Sequence, residues 1–291
     1  MVYENLSEVR KQIDWLNIRI INRLAYRATF PLNAKVYEKT EDKESMLGVA
    51  IREKEKYFAR LGRWKFPDQH PLIKQELPEP AVPRSIPEKI LADVEIDVRE
   101  DVKMFYMGLV KDLCREGDNP NSYGETADCD ADNLELLSER VMLGLYVADS
   151  KARDDLTIKD DVDSPKLLDR KLRNIKREEE VIGGAKEVAE HYSLDLAIIE
   201  KYFKSISGEI TKLDPVIIGK FFRWIIEETT KVEVEYLQKK FEVNKKSGKK
   251  SGTEKLEPST AKVSPFSPID KPGFGRSKDD VDRPSKNVTG W

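Results

Sequence analysis

Apolar residues recur at steps of three and four along most of this chain, and no stretch shows the strict alternation of a half-buried strand to compete with them. Leu6, Val9, Ile13, Leu16, Ile20 and Leu24 form one such stripe, which predicts a helix over about 5–30. A second segment, 43–61, carries Met46, Val49, Ala50, Tyr57 and Leu61 and stops at Gly62, a residue suited to a helix C-terminus. The period returns at 98–116, 130–154, 174–192, briefly at 195–206, and from Pro215 to Phe241. Asp214 and Pro215 give this last segment an N-cap and a first-turn proline. Between Pro67 and Pro87 six prolines fall within 21 residues, which forbids a long helix and predicts an extended crossing of the surface. The expected fold is all-α: a single-domain helix bundle with a long proline-rich connection.

Composition sets the limits of this domain. Of 291 residues 39% are hydrophobic, enough for one substantial core. Fifty-one Lys and Arg against 54 Asp and Glu leave a formal charge of -3, so no nucleic-acid or membrane partner is expected. From Asn244 onward apolar side chains thin out, and 48 residues hold 11 basic and 6 acidic groups with 5 Gly and 5 Pro. Residues 244–291 are therefore expected to be a disordered basic tail on a folded 1–243 domain. The tail carries +5 and the domain -8, so it is either a solvated appendage or a weak docking arm for an acidic partner. Cys114 and Cys129, with His70 and His191, lack the spacing of a zinc site and are expected to be free thiols, with no metal bound. The first dozen residues mix charged with apolar side chains, which argues against a signal peptide or anchor and makes the cytoplasm the expected location.

Polar side chains interrupt the apolar stripes in a pattern. Arg140 and Lys151 are 11 residues apart in one predicted helix, which places them on one face about 16 Å apart at the backbone, with Gly144 and Val147 between. They are either two independent surface ion pairs or two cations facing a gap the size of a small ring. The stripe through Val181, Ala185 and Tyr192 runs back to Glu178 and Asn174, and that of the last helix runs through Thr229 and Glu233. Unpaired buried polar groups cost about 1–3 kcal/mol each, so three helices turning them inward imply a shared polar pocket, unless frayed helix ends put them in water. Arg10 adds a third cation beside the first stripe, or else pairs with Asp14 four residues on.

Asp128, Asp130, Asp132 and Glu139 match positions 1, 3, 5 and 12 of a calcium loop, but Asn133 stands where the sharp turn needs glycine. These acids are instead expected ahead of a helix N-terminus, complementing its dipole.

Four segments then carry a family likeness. VEVEYL at 232–237 preceded by Thr229, LSERVMLGLYVADSK at 137–151, GRWKFPDQHP at 62–71 and SYGETADCD at 122–130 resemble, in order and spacing, the all-helical chorismate mutases of fungi and plants. The resemblance covers residues 5 to about 241. It implies an isomerase with no cofactor that rearranges chorismate to prephenate, toward phenylalanine and tyrosine, and works as a homodimer. Arg10 and Arg140 would bind the substrate carboxylates, assisted by Asn174 and Thr229. Glu178 would meet the ring hydroxyl, while Lys151 and Glu233 would flank the ether oxygen as catalytic residues. A pericyclic rearrangement needs no nucleophile, only conformational restriction and stabilisation of charge growing on that oxygen. Glu233 helps there only when protonated, so a raised pKa is expected. The competing class is a helical interaction protein on the same scaffold without catalysis.

The resemblance also implies a tryptophan or tyrosine effector site from the segments around Arg63, Asn121, Ser122, Gly124, Glu125 and Asp128. Glu125 and Asp128 stand where the fungal pattern has hydroxyl residues, and Gly62 where it has a second arginine. Altered or absent effector control is expected from this change of charge.

Overall fold

The structure, a computed structural model, describes residues 3, 5–41, 43–82, 91–202 and 213–250, with the side chains at 193–197, 199–200 and 243–250 outside that description. Among the described residues eight α-helices follow one another: α1 (Leu6–Ala28), α2 (Met46–Arg60), α3 (Arg99–Leu113), α4 (Tyr123–Met142), α5 (Gly144–Asp154), α6 (Pro165–Leu172), α7 (Ile175–Tyr202) and α8 (Pro215–Lys250). Among the described residues there is no strand, only an isolated bridge between Lys39 and Ser45. No helix among them is long and apolar enough to cross a membrane.

The stripe on α1 is buried from Val9 to Leu24 and packs on α4, α5 and α7. Its N-terminus is capped by Asn5, whose side-chain oxygen accepts from Glu8 N at 3.1 Å. Helix α2 ends as its composition demands: Gly62 takes a left-handed φ of 81° and its N–H reaches Ala59 O at 2.9 Å. The described part of the proline-rich connection is strapped to α2 by the buried Glu55. That carboxylate accepts from Leu72 N, Ile73 N (3.2 Å) and Gln75 Nε2 (2.7 Å). Asp214 caps α8 through Val216 N at 2.7 Å, with Pro215 as its first residue.

Several boundaries differ from the sequence reading. The expected helix over 130–154 is two helices, for α4 starts earlier, at Tyr123, and the chain turns at Leu143 before α5. Arg140 and Lys151 therefore do not share the face of one straight helix. Asp128, Asp130 and Asp132 lie inside α4 rather than ahead of it, and Lys54 pairs with Asp128 and Asp132 while Arg27 pairs with Asp130. The short helix expected at 195–206 is a continuation of α7 through Tyr202, and 203–206 lie outside the described residues. Helix α6 shows no clear stripe in sequence because only Leu168 and Leu172 of its eight residues are buried. Helix α8 runs through Lys250, beyond the expected domain end at 243; residues 251–291 are outside the description.

Residues 133–150, on either side of the turn at Leu143, are buried without interruption. Helix α8 closes over them, and Gly144 sets how near it comes. A Cβ at Gly144 would lie 2.9 Å from the carbonyl oxygen of Thr229, so only glycine lets α5 and α8 meet at this level. This contact brings α8's polar residues beside those of α4 and α5.

Candidate active site

Between α1, α4, α5, α7 and α8 lies a partly open cavity of about 110 Å³. Its walls include all seven residues read as a substrate pocket: Arg10, Arg140, Lys151, Asn174, Glu178, Thr229 and Glu233. Arg173 and Arg177 line it as well. Five cationic side chains thus face two carboxylates, an excess of positive charge matched to an anion.

Arg140, near the C-terminus of α4, is only 4% exposed. Its Nε donates to Asn17 Oδ1 at 2.9 Å and its Nη1 to Thr229 Oγ1 at 3.2 Å. The Thr229 hydroxyl donates in turn to Ile225 O at 2.7 Å, which leaves its lone pairs for the arginine. Burial pulls the guanidinium down to about 10, with Glu233 and Asp14 opposing, so it stays charged at neutral pH. Asn17 was missed as a site residue, although four places after Ile13 and three before Ile20 it interrupts the buried face of α1 as Thr229 and Glu233 interrupt that of α8.

Lys151, in the last turn of α5, donates to Glu233 Oε2 at 2.8 Å and to Leu172 O at 2.6 Å. Burial pushes the Glu233 carboxyl above its ordinary value; Lys151 opposes this by charge and hydrogen bond, Arg140 opposes it too, and Glu178 reinforces it. This matches the direction expected from sequence.

Asn174 departs from the core-facing position expected of it. It is exposed and stands just before α7, where its Oδ1 accepts from Arg177 N at 3.1 Å as an N-cap. Glu178 is held by Arg173, and Asp14 pairs with Arg177 rather than with Arg10. Of the two readings of Arg10, the pair with Asp14 thus gives way to the Asp14–Arg177 bridge.

The residues read as an effector site are not brought together within one chain. Arg63 lies against the middle of α4, paired with Glu135 and, at 2.9 Å, with Glu139. Ser122 is buried under the Asn33 amide at 3.0 Å, and Asp128 pairs with Lys54 at 2.8 Å. Asn121, Gly124 and Glu125 sit with them at the N-terminal end of α4, and the rise from 128 to 135 alone is about 10 Å.

Fold and cavity define an all-helical scaffold with a cation-lined cavity between its helices. The type II chorismate mutase model matches residues 122–234, which contain six of the seven pocket residues, all but Arg10, and end just past Glu233. A chloroplastic chorismate mutase 1 of Petunia hybrida is 34% identical over 156 residues, 51% of this chain and 48% of that protein. The Candida albicans chorismate mutase Aro7p, solved with L-Trp, superposes with a TM-score of 0.72 at 25% identity, over 82% of this chain and 92% of that one. AtCM1 with tyrosine bound in an allosteric site gives 0.70 at 28% identity, over 81% and 96%. In sequence and in fold the chain is similar to the all-helical chorismate mutases of fungi and plants. Its alignments span about half the length of the plant relatives it matches.

Proposed function

We propose that the protein converts chorismate to prephenate. The observation that carries this reading is the meeting of Arg140, Lys151 and Glu233, from three different helices, around one cavity. Chorismate is a flexible dianion with a ring hydroxyl and an ether bridge. Arg10 and Arg140 take its carboxylates, with Thr229 fixing the Arg140 fork. Held this way, the enolpyruvyl arm lies folded over the ring in the conformer that reacts. The ether C–O bond then breaks as the new C–C bond forms, and electron density moves onto the ether oxygen. Lys151 donates to that oxygen, and protonated Glu233 donates from its other side. Glu178 accepts from the ring hydroxyl.

Loss of chorismate absorbance with the appearance of prephenate tests the reading directly. Saturable turnover by the purified chain with no additive is the expected result, and a chain that binds chorismate without converting it would instead be an interaction protein on this scaffold.

Effector control and assembly belong to the same proposal. Trp15, Tyr26, Tyr57 and Leu61 are each about half exposed on or beside α1 and α2, apolar area that a second copy would cover in a homodimer. Arg63, already neutralised by two carboxylates of its own chain, is a poor acceptor for an amino-acid carboxylate. Adding tryptophan or tyrosine is expected to leave the saturation curve in place. A clear displacement of the curve by either amino acid would contradict this.

A further inference from the structure

Arg173 has no part in the roles set out above, yet it lines the cavity. It follows α6 directly, with extended backbone at φ -73° and ψ 143°. This geometry sends the groups of three successive residues to three different tasks. Leu172 O receives Lys151 Nζ, Asn174 caps α7, and the Arg173 guanidinium reaches forward to Glu178 in the first turn of α7.

The Arg173–Glu178 contact is a fork. Nε donates to Oε1 at 3.2 Å and to Oε2 at 3.1 Å, and Nη2 donates to Oε2 at 2.5 Å. The two side chains are 31% and 14% exposed, so the pair is shielded more than an ordinary surface bridge. A carboxylate offers about four acceptor sites. Arg173 meets Oε2 twice and Oε1 once, so Oε1 keeps capacity for another donor. A planar fork of this kind also fixes the orientation of a carboxylate that otherwise turns about its own bonds.

We infer that Arg173 is a positioning residue for substrate recognition: it clamps the Glu178 carboxylate so that one oxygen is presented to the hydroxyl of the cyclic diacid substrate. The inference rests on the chorismate reading, because a ring hydroxyl is what the presented oxygen is for. Arg173 touches Glu178, not the reacting atoms. A hydroxyl bound alike in ground and transition states affects KM more than kcat.

The test is steady-state kinetics on Arg173→Gln, Arg173→Lys, Glu178→Gln and the double variant Arg173→Gln/Glu178→Gln. Each is assayed with chorismate and with the analogue lacking the ring hydroxyl. Arg173→Gln is expected to raise KM for chorismate about tenfold with kcat nearly unchanged, and Arg173→Lys to recover part of the loss. The double variant should be no worse than Glu178→Gln alone, and the analogue should show no difference between wild type and Arg173→Gln. A wild-type KM in Arg173→Gln, an additive double variant, or an equal loss on the analogue would overturn the inference while leaving the function intact. Absence of prephenate from the wild-type chain would overturn the function, and this inference with it. Unchanged thermal midpoints separate positioning from a folding defect.

Discussion

Among the described residues two arginines are almost completely buried, and they are used in opposite ways. Arg27, at the end of α1, spends every N–H. Nε meets Asp130 at 2.7 Å, Nη1 meets Phe30 O and Pro31 O at 3.4 and 3.1 Å, and Nη2 meets Leu32 O and Tyr37 OH, both at 3.0 Å. Asp130 is closed in turn by the hydroxyls of Tyr37 and Tyr106, each at 2.7 Å. Burial is the strongest single influence and opposes the Arg27 charge, but Asp130, Cys114 and Tyr37 together outweigh it and hold the guanidinium above its ordinary value. Arg140, among the described residues, spends two of its five N–H groups, both on neutral partners, and faces a cavity. Burying a charge therefore does not by itself mark a site. What marks one is a buried charge whose hydrogen bonds are left unfinished where a ligand can complete them.

The widest break in this comparison is expected from removing each arginine. Arg27→Ala removes the ion-pair partner of Asp130 in the core and leaves the carbonyls of Phe30, Pro31 and Leu32 without their donor, a loss of about 3–5 kcal/mol by the rule for breaking a buried pair. Arg140→Ala leaves no ion-pair partner stranded and lies beside an existing cavity. It should unfold much closer to wild type while losing about 10²–10³ in kcat/KM, the range for one donor aimed at developing or bound negative charge. Chemical denaturation and prephenate formation, measured on both variants, decide the matter. If Arg140→Ala lost as much stability as Arg27→Ala, the contrast between a closed and an open cluster would fail.

The two clusters also differ in what pH can do to them. Glu233 has its carboxyl raised by burial, so its proton persists to higher pH than an ordinary glutamate's and is lost as pH rises through the raised value. Protonated Glu233 donates to the ether oxygen, whereas ionised Glu233 repels it. Activity should therefore be highest on the acid side and fall as pH rises, and the same group's contribution to stability is full below the unfolded value and lost over the same rise. In Glu233→Gln the amide donates at every pH, and the falling limb should disappear from kcat. A falling limb that persists in this variant at the wild-type position would assign the titration to another group.

How far the sequence led differs between fold and site in an instructive way. The stripe of α1 and the caps of α2 and α8 were legible because short-range spacing and cap chemistry determine them locally. The turn at Leu143 was not, since Arg140 to Lys151 reads as unbroken helical periodicity and the residues around the turn are buried on all sides, with no polar face to reveal a phase change. The spacing of Arg140 and Lys151 leaves surface ion pairs and two cations facing a gap as alternatives; both side chains line the cavity, from two successive helices rather than one. Asn17 and Arg173 escaped notice because each acts through a partner far away in sequence or across a helix junction, Arg140 for one and Glu178 for the other. Asp130 was misread as a helix-dipole group because its partner Arg27 lies 103 residues away.

The smallest expected effect concerns how Arg10 is kept free. Asp14 is four residues after Arg10 on α1, the spacing of a helical ion pair, but Arg177 on α7 holds both Asp14 oxygens at 3.1 Å. Both side chains are 42–50% exposed, so the bridge adds little stability, on the order of 0.2–1 kcal/mol. Its effect should appear in binding. In Arg177→Ala, Asp14 is released toward Arg10 and competes with the substrate carboxylate, and a competition of about 0.5 kcal/mol corresponds to a KM rise of about twofold. Asp14→Asn/Arg177→Ala should return KM to near wild type, and the rise should shrink in high salt, where exposed charges are screened. A KM that stays elevated in the double variant would mean that Arg177 attracts the substrate itself, and then the open cluster would extend to the cavity mouth instead of ending at Arg10.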